Sequence, residues 1–215
     1  MIIDPKELSP RDTYKLLIGS VVPRPIAWVS TLSKSGVRNL APYSFFNVVS
    51  RNPPMLGISI GEGTGTRKGT VKDTLTNIRE TGEFVVNIVT SSMANEMAKS
   101  AETLPPEADE FDYADLPSAP CEAVAAPRIA EAPVSMECKL HDIIPLGSDH
   151  LVIGEMVRFH IKDDLYENGR INLAKLAPIG RLAGNYSLVE TLFSLPNEDL
   201  GEIIKRDVED LDKRE

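Results

Sequence analysis

"PRPIAWVSTLSKSGVRNLAPYSFFN", residues 23–47, decides how the rest of the chain is read. Residues 25–31, "PIAWVST", are rich in β-branched and aromatic side chains and follow a proline, which marks a buried strand. "LSKSGVRN" supplies a turn through Ser35 and Gly36. A plain hairpin would return through alternating strand residues, yet Asn39, Leu40, Ala41, Pro42, Tyr43 and Ser44 follow, and a proline cannot donate to a ladder. The expectation is a sheet interrupted here, with an edge that stops pairing with itself.

Outward from this stretch the strand signals continue. "FFNVVS" and "MLGISIG" are short apolar runs separated by "RNPP", a spacing that suits antiparallel neighbours in a barrel or sandwich. Upstream, residues 10–18 form a short helix with Tyr14, Leu17 and Ile18 on one side, ended by Gly19. Downstream, Thr70 and Asp73 stand in the relation of a capping box, Leu75 and Ile78 repeat at helical spacing and Gly82 closes the turn, which predicts a helix from Val71 to Thr81. "FVVNIV" reads as a buried strand, and "SSMANEMAKSAE" as a second helix capped by Ser91 or Ser92.

Residues 104–133 hold six prolines, Pro105, Pro106, Pro117, Pro120, Pro127 and Pro133, with little periodicity. A segment of that length is either a lid or binding loop or a passive surface wrap. From Val134 the pattern alternates, with Val134, Met136, Cys138 and Leu140 on one face and Ser135, Glu137, Lys139 and His141 on the other, before a Gly-Ser-Asp turn and a returning strand. The last twenty residues, 196–215, carry twelve charged side chains and read as a solvated helix or tail. The element order predicts a mainly β fold, an antiparallel β-barrel with peripheral helices, in one domain spanning residues 1–195.

Composition narrows the function. With 32 acidic and 23 basic residues the net charge is −9, which disfavours a nucleic-acid surface. The N-terminus lacks the basic start and apolar core of a secretory signal, and no apolar run approaches a membrane span. Cys121 and Cys138 form no CxxC and read as reduced thiols, so a cytoplasmic location is expected.

The glycine-rich "GEGTGTRKGT" fails both nucleotide signatures, because Thr66 and Lys68 follow where a third glycine is needed and no Ser or Thr follows the lysine. What remains is flexible backbone, Arg67 and Lys68, and a helix start bearing Lys72, all of which favour a phosphate or a plain solvated loop. His141, His150 and His160 share one hairpin at spacings of no compact ligand pattern, so no metal is expected. There is no GxSxG elbow and no flanking signature of a catalytic thiol. "LAPIGRLAGNYS" places Arg181 among small residues ahead of Tyr186, which suits close approach to a flat, oxygen-bearing ligand or simply a tight turn.

Taken in order from residue 20 to about 187, "RPIAWVST", "GVRNLAPYSFFN", "KDTLTNI", "TGEFVVNIV", "ECKL", "HLVIGEM" and "PIGRLAGNY" resemble the flavin reductase-like family of FMN-binding split-barrel proteins, which includes flavoredoxin-type carriers. The resemblance implies a Greek-key split barrel and a homodimer holding noncovalent FMN near the subunit interface. It implies Trp28, Ser30 and Thr31 beside the flavin, with Asn39, Leu40, Ala41, Pro42 and Ser44 along the ring system and Phe46 in support. Arg67, Lys72, Asp73 and Thr74 would take the phosphate and ribityl side, Asn77 their supporting helix, and His150 and Arg181 the rim.

No catalytic acid or base is required, since the flavin carries the electronic work between NAD(P)H and a small-molecule or protein acceptor. An electron carrier without nicotinamide activity and a non-catalytic flavin-binding module are the alternatives. Asn39→Asp is expected to weaken FMN and leave the barrel folded.

Overall fold

The computed structural model describes residues 1–189 and 191–192 of the 215-residue chain. The charged segment 196–215 lies outside them. Helix α1 spans Pro10–Ser20, opened by Ser9, whose hydroxyl accepts the Asp12 N–H, and it runs through Gly19 instead of ending there. Strands β1 (Ala27–Leu32), β2 (Arg38–Tyr43), β3 (Phe46–Arg51) and β4 (Pro54–Ile60) precede α2 (Asp73–Thr81) and β5 (Glu83–Ile88). Then follow α3 (Ala94–Ser100), α4 (Glu110–Tyr113) and the short pair β6 (Ser118–Ala119) and β7 (Arg128–Ile129). The long hairpin β8 (Val134–Leu146) and β9 (Asp149–Ile161) leads to β10 (Tyr166–Glu167), β11 (Arg170–Ile171), α5 (Leu173–Leu176), β12 (Ile179–Arg181) and β13 (Tyr186–Leu188).

Seven strands form one sheet in the order β2-β1-β5-β8-β9-β4-β3, and the pairings along it are antiparallel. Its two edge strands, β2 and β3, are consecutive in the chain. The sheet therefore curls so that its edges are joined through Ser44 and Phe45, and the β3–β4 ladder runs on to Phe45, whose carbonyl accepts the Ser59 N–H at 2.8 Å. The fold is mainly β, as the strand spacing predicts.

The opening stretch corrects one expectation. Pairing does not stop at "NLAPYS": β2 follows β1 in unbroken register from Leu32 opposite Arg38 to Ala27 opposite Tyr43. Pro42 is tolerated because β2 is an edge strand, where a missing donor costs no ladder bond on its outer side.

Two cores share the sheet. Inside the barrel Ala27, Val29, Phe84, Val86, Met136 and Cys138 pack with Leu75 and Ile78 of α2. On the outer face Trp28 and Leu40 pack with Met97 of α3, Phe111 of α4, and Leu116 and Ile129. Strand β1 is thus buried on both sides, which is why "AWV" is continuous rather than alternating. The proline-rich excursion supplies much of the second core, through Phe111, Leu116 and Ile129, so it is more than a passive wrap. Each fully buried large side chain there contributes about 1.5–3 kcal/mol by area removed from water.

Helix α2 begins two residues later than predicted, with Lys72 as a cap that makes no side-chain bond. The capping box does not form, because the Thr70 hydroxyl donates to the Arg67 carbonyl and Asp73 turns to the Arg67 guanidinium. Gly82 closes the helix at φ 71°, a left-handed conformation that glycine adopts without strain. The second predicted helix starts at Ala94, after a single 3₁₀ turn over Ser91–Met93 in which neither serine caps by its side chain.

Candidate functional site

Two cavities, of about 110 Å³ and about 210 Å³, meet at Pro42 and Tyr43. The first lies between β2, the loop after β4 and the start of α2, and is lined by Asn39, Ala41, Arg67, Lys72, Thr74 and Glu110 among others. The second lies under α1 and is lined by Arg24, Ser44, Met97, Arg181 and Tyr186 among others. The edge strand that the sequence singles out is therefore the shared wall.

The charges of the first cavity are unequal in availability. Arg67 is spent on Asp73, its two terminal nitrogens taking one carboxylate oxygen each, with Nη2 to Oδ1 at 2.7 Å. That fork fixes both groups and nearly cancels their charge. Lys72 has no such partner among the described residues. Its ammonium sits over the Tyr43 ring at 5.1 Å, and burial, partly offset by the charge of Asp149, pulls its pKa below the usual lysine range. The Tyr43 hydroxyl is itself buried, and its hydrogen-bonding capacity is met only by a loose contact with Thr74. A half-buried ammonium and an under-bonded hydroxyl line the same cavity, and an oxygen-rich anion is the chemistry that satisfies both.

Asn39 behaves differently from expectation. Its Oδ1 accepts from Thr74 Oγ1 at 2.7 Å and Thr31 Oγ1 at 3.3 Å, while Asn77 Nδ2 donates to Thr31 Oγ1 at 2.9 Å. These four residues clamp α2 to β1 and β2. Asn39→Asp places a carboxylate in this buried clamp, near Glu110, so the expected result is a loss of stability of about 1–3 kcal/mol, read by urea unfolding. A variant as stable as the parent would show that the clamp contributes nothing.

Glu110 is the cavity's unforeseen acid. It is buried, and its Oε2 accepts the Leu40 N–H at 3.2 Å. Burial raises its pKa to about 7, against the opposing pull of hydrogen bonds from its own N–H, from Leu40 and from the Asn39 side chain. Nothing in "DEFDY" marks it at the sequence level. Tyr43 was also passed over, although it stands inside "NLAPYS".

In the second cavity the Arg181 guanidinium lies over the Tyr186 ring at 4.5 Å, and the Arg181 backbone exchanges two hydrogen bonds with Arg24, at 2.8 and 2.9 Å. Arg24, 6% exposed, donates to the carbonyls of Ile18, Val21 and Leu182 and so ties the end of α1 to this wall.

Other expected residues are elsewhere. Trp28, Ser30 and Thr31 are wholly buried and line neither cavity: Trp28 Nε1 donates to Ser100 Oγ at 2.8 Å, and Ser30 Oγ to the Pro127 carbonyl at 2.5 Å. Leu40 packs into the outer core, Phe46 against the inner one, and Asn77 is enclosed. His150 pairs with Ile60 across the β4–β9 ladder and lines neither cavity, although its neighbour Asp149 is the charge felt by Lys72.

A second polar cluster lies on the far face. Glu137, fully buried, accepts the N–H groups of Glu122, Ala123 and Val124 at 2.9, 2.6 and 3.0 Å and faces His160 Nε2 at 2.6 Å. Cys121 stands close enough that all three potential ligand atoms fall within 4.8 Å of one another. The sequence reading found no carboxylate or thiol beside a histidine, because Glu137 reaches His160 only through the β8–β9 pairing and Cys121 only through the loop whose N–H groups bond to Glu137. Both Glu137 oxygens are already saturated, so the group acts as a fastener for residues 121–124.

The model of the flavin reductase like domain matches residues 18–177 of this chain. Nitrilotriacetate monooxygenase component B from Bacillus cereus is 42% identical, with a TM-score of 0.87 over 91% of this chain and 98% of that one. The 2-nitrobenzoate 2-nitroreductase NbaA of Pseudomonas fluorescens is 32% identical, with a TM-score of 0.83 over 93% and 98%. Flavoredoxin of Desulfovibrio vulgaris (Miyazaki F) shares the fold at 21% identity, with a TM-score of 0.71 over 84% and 94%.

Proposed function

This chain belongs to the flavin reductase-like family, and we propose from that premise that it is an FMN-binding oxidoreductase taking electrons from NAD(P)H. A flavin cofactor and oxidoreductase chemistry are what the family implies; FMN, the nicotinamide donor and the residue roles are the proposal. One observation carries it: the ammonium of Lys72, which has no ion-pair partner among the described residues, and the under-bonded hydroxyl of Tyr43 line one cavity beside the Ala41–Pro42 edge. These groups fit a phosphate-bearing flavin better than a neutral ring alone. The named relatives, a monooxygenase component and a nitroreductase, support redox chemistry of this kind.

FMN supplies hydride acceptance and electron release when bound. The chain's own part is position and exclusion. Lys72 and the Tyr43 hydroxyl would hold the phosphate oxygens, Thr74 and the 63–67 loop would flank the ribityl chain, and the wall of Ala41 and Pro42 would let a ring approach the backbone. Arg181, stacked on Tyr186, and Ser44 complete the neighbouring cavity, where a nicotinamide or an acceptor would enter.

We place this site near a homodimer interface. Helix α1 buries none of its residues in the single chain and leaves Tyr14 and Leu17 exposed, while Phe45, Val48 and Val49 on and beside β3 are exposed as well. Tyr14 and Phe45 lie 6.5 Å apart between ring centroids, so these two apolar regions adjoin and a second copy would cover them together. No helix among the described residues is long and apolar enough to cross a membrane.

The test is anaerobic mixing of the purified, flavin-loaded protein with NADH and with NADPH, after sedimentation has given its mass. The expected result is a two-chain particle whose bound flavin bleaches with one nicotinamide and no other protein present. Flavin reducible only by dithionite or a protein donor would instead make it an electron carrier, and protein that takes up no FMN would overturn the reading.

A further inference from the structure

We propose that Glu110 couples proton uptake to the binding of an anionic ligand in the first cavity, so that the site accepts a phosphate-bearing flavin together with a proton. This rests on the flavin reading above. The argument begins with charge. Arg67 and Asp73 cancel one another, which leaves Lys72 as the available cation and Glu110 as the buried acid on the same cavity wall. An ionised Glu110 would cancel Lys72 and face an incoming anion, whereas a neutral one leaves Lys72 uncancelled inside the cavity, the remaining acid, Glu102, being exposed at the rim and bonded to Tyr113.

The surroundings of Glu110 favour such a change of state. On its own element Asp109 and Asp112 are both drawn to Arg38 of β2, at 2.6 and 2.7 Å. From the start of α2, Asp73 opposes ionisation of Glu110, and Glu107 acts on the Arg67 side of the cavity. Tyr43 on β2 feels the Glu110 charge. At the rim after α3, Glu102 accepts from Tyr113 Oη at 2.5 Å. Glu110 itself makes no ion pair among the described residues: Arg67 feels its charge but is held by Asp73, and only the Leu40 N–H and the Asn39 amide contact its carboxyl, so its ionised form is incompletely compensated. Its pKa near 7 lets it exchange a proton in the physiological range. By linkage, an anion that binds better when Glu110 is neutral must raise that pKa in the complex.

The experiment is calorimetric titration of the wild-type protein and Glu110→Gln with FMN between pH 6.5 and 8.5. Buffers of different ionisation enthalpy count the protons taken up. The glutamine oxygen can still accept the Leu40 N–H, so the variant removes the titration and retains the contact. Near pH 8, where the FMN phosphate is already fully ionised, the wild type is expected to take up close to one proton per FMN. Its affinity should fall roughly fivefold from pH 7 to pH 8 as the competent fraction shrinks. Glu110→Gln should bind without that uptake and with a flat profile.

Equal proton counts and equal profiles in the two proteins would overturn the proposal and assign the uptake to Lys72 or another group, leaving the flavin reading intact. No FMN binding by the wild type at any pH would overturn both. Should Glu110→Gln fail to fold, carboxyl carbon NMR of the wild type decides the matter. One glutamate must titrate near pH 7 in the free protein and move upward by about two units or more with FMN, and the absence of such a resonance overturns the proposal.

Discussion

Lys72→Ala is expected to weaken FMN binding by roughly ten- to a hundredfold, the equivalent of about 1.5–3 kcal/mol for a charged hydrogen-bonding group. The effect should be this large because Arg67, the other cation lining the cavity, is already held by Asp73 and cannot substitute without abandoning that fork. Stability should move the other way. Burial disfavours the free ammonium and pulls the Lys72 pKa down, so removing it relieves a cost in the unliganded protein. Fluorescence titration of FMN together with thermal unfolding without flavin measures both. Unchanged affinity would remove Lys72 from the site and with it the observation on which the proposed function stands.

Glu137→Ala is expected to cost about 3–5 kcal/mol, the range for removing one member of a buried charged network. It would strip three N–H groups of their acceptor and leave His160 facing an empty space. At roughly 2–4 °C per kcal/mol for a chain of this size, the thermal midpoint should drop by about 10 °C.

The pH dependence has a definite sign. Burial alone would raise the Glu137 pKa, but the N–H groups of Glu122 and Ala123 and the His160 ring outweigh it and hold the pKa below the ordinary glutamate value. A carboxylate with a depressed folded-state pKa stabilises above its unfolded pKa and loses that contribution as pH falls through the folded one. The gap between wild type and Glu137→Ala should therefore be full at neutral pH and close below about pH 4. A midpoint within 2 °C of wild type at neutral pH would show that residues 121–124 are held by other means.

How much of this was legible follows from which interactions are local. The strand signals in "PIAWVST" and "FVVNIV" and the helix ended by Gly82 depend on neighbours in the chain, and each forms. The expected capping box also used only neighbours, yet it lost to Arg67, whose fork on Asp73 is set by the fold of the 63–70 loop. Within "NLAPYS" the sequence pointed to a cavity wall, since Asn39, Ala41 and Pro42 all line it, but not to the contacts made there. Asn39 Oδ1 bonds to Thr31 and Thr74, and Tyr43 and Glu110, 67 positions apart in the chain, line the same cavity.

By itself the sequence determined a mainly β antiparallel fold, because period-two alternation and turn residues act over a few positions, and the family, through the order of its motifs. Only the tertiary structure decided which side chains line the cavities beside "NLAPYS". Burial and charge neutralisation are properties of what packs alongside: the proline-rich excursion became the second core against Trp28, Glu110 arrived at the cavity with it, and Asp73 took Arg67 away and left Lys72 available.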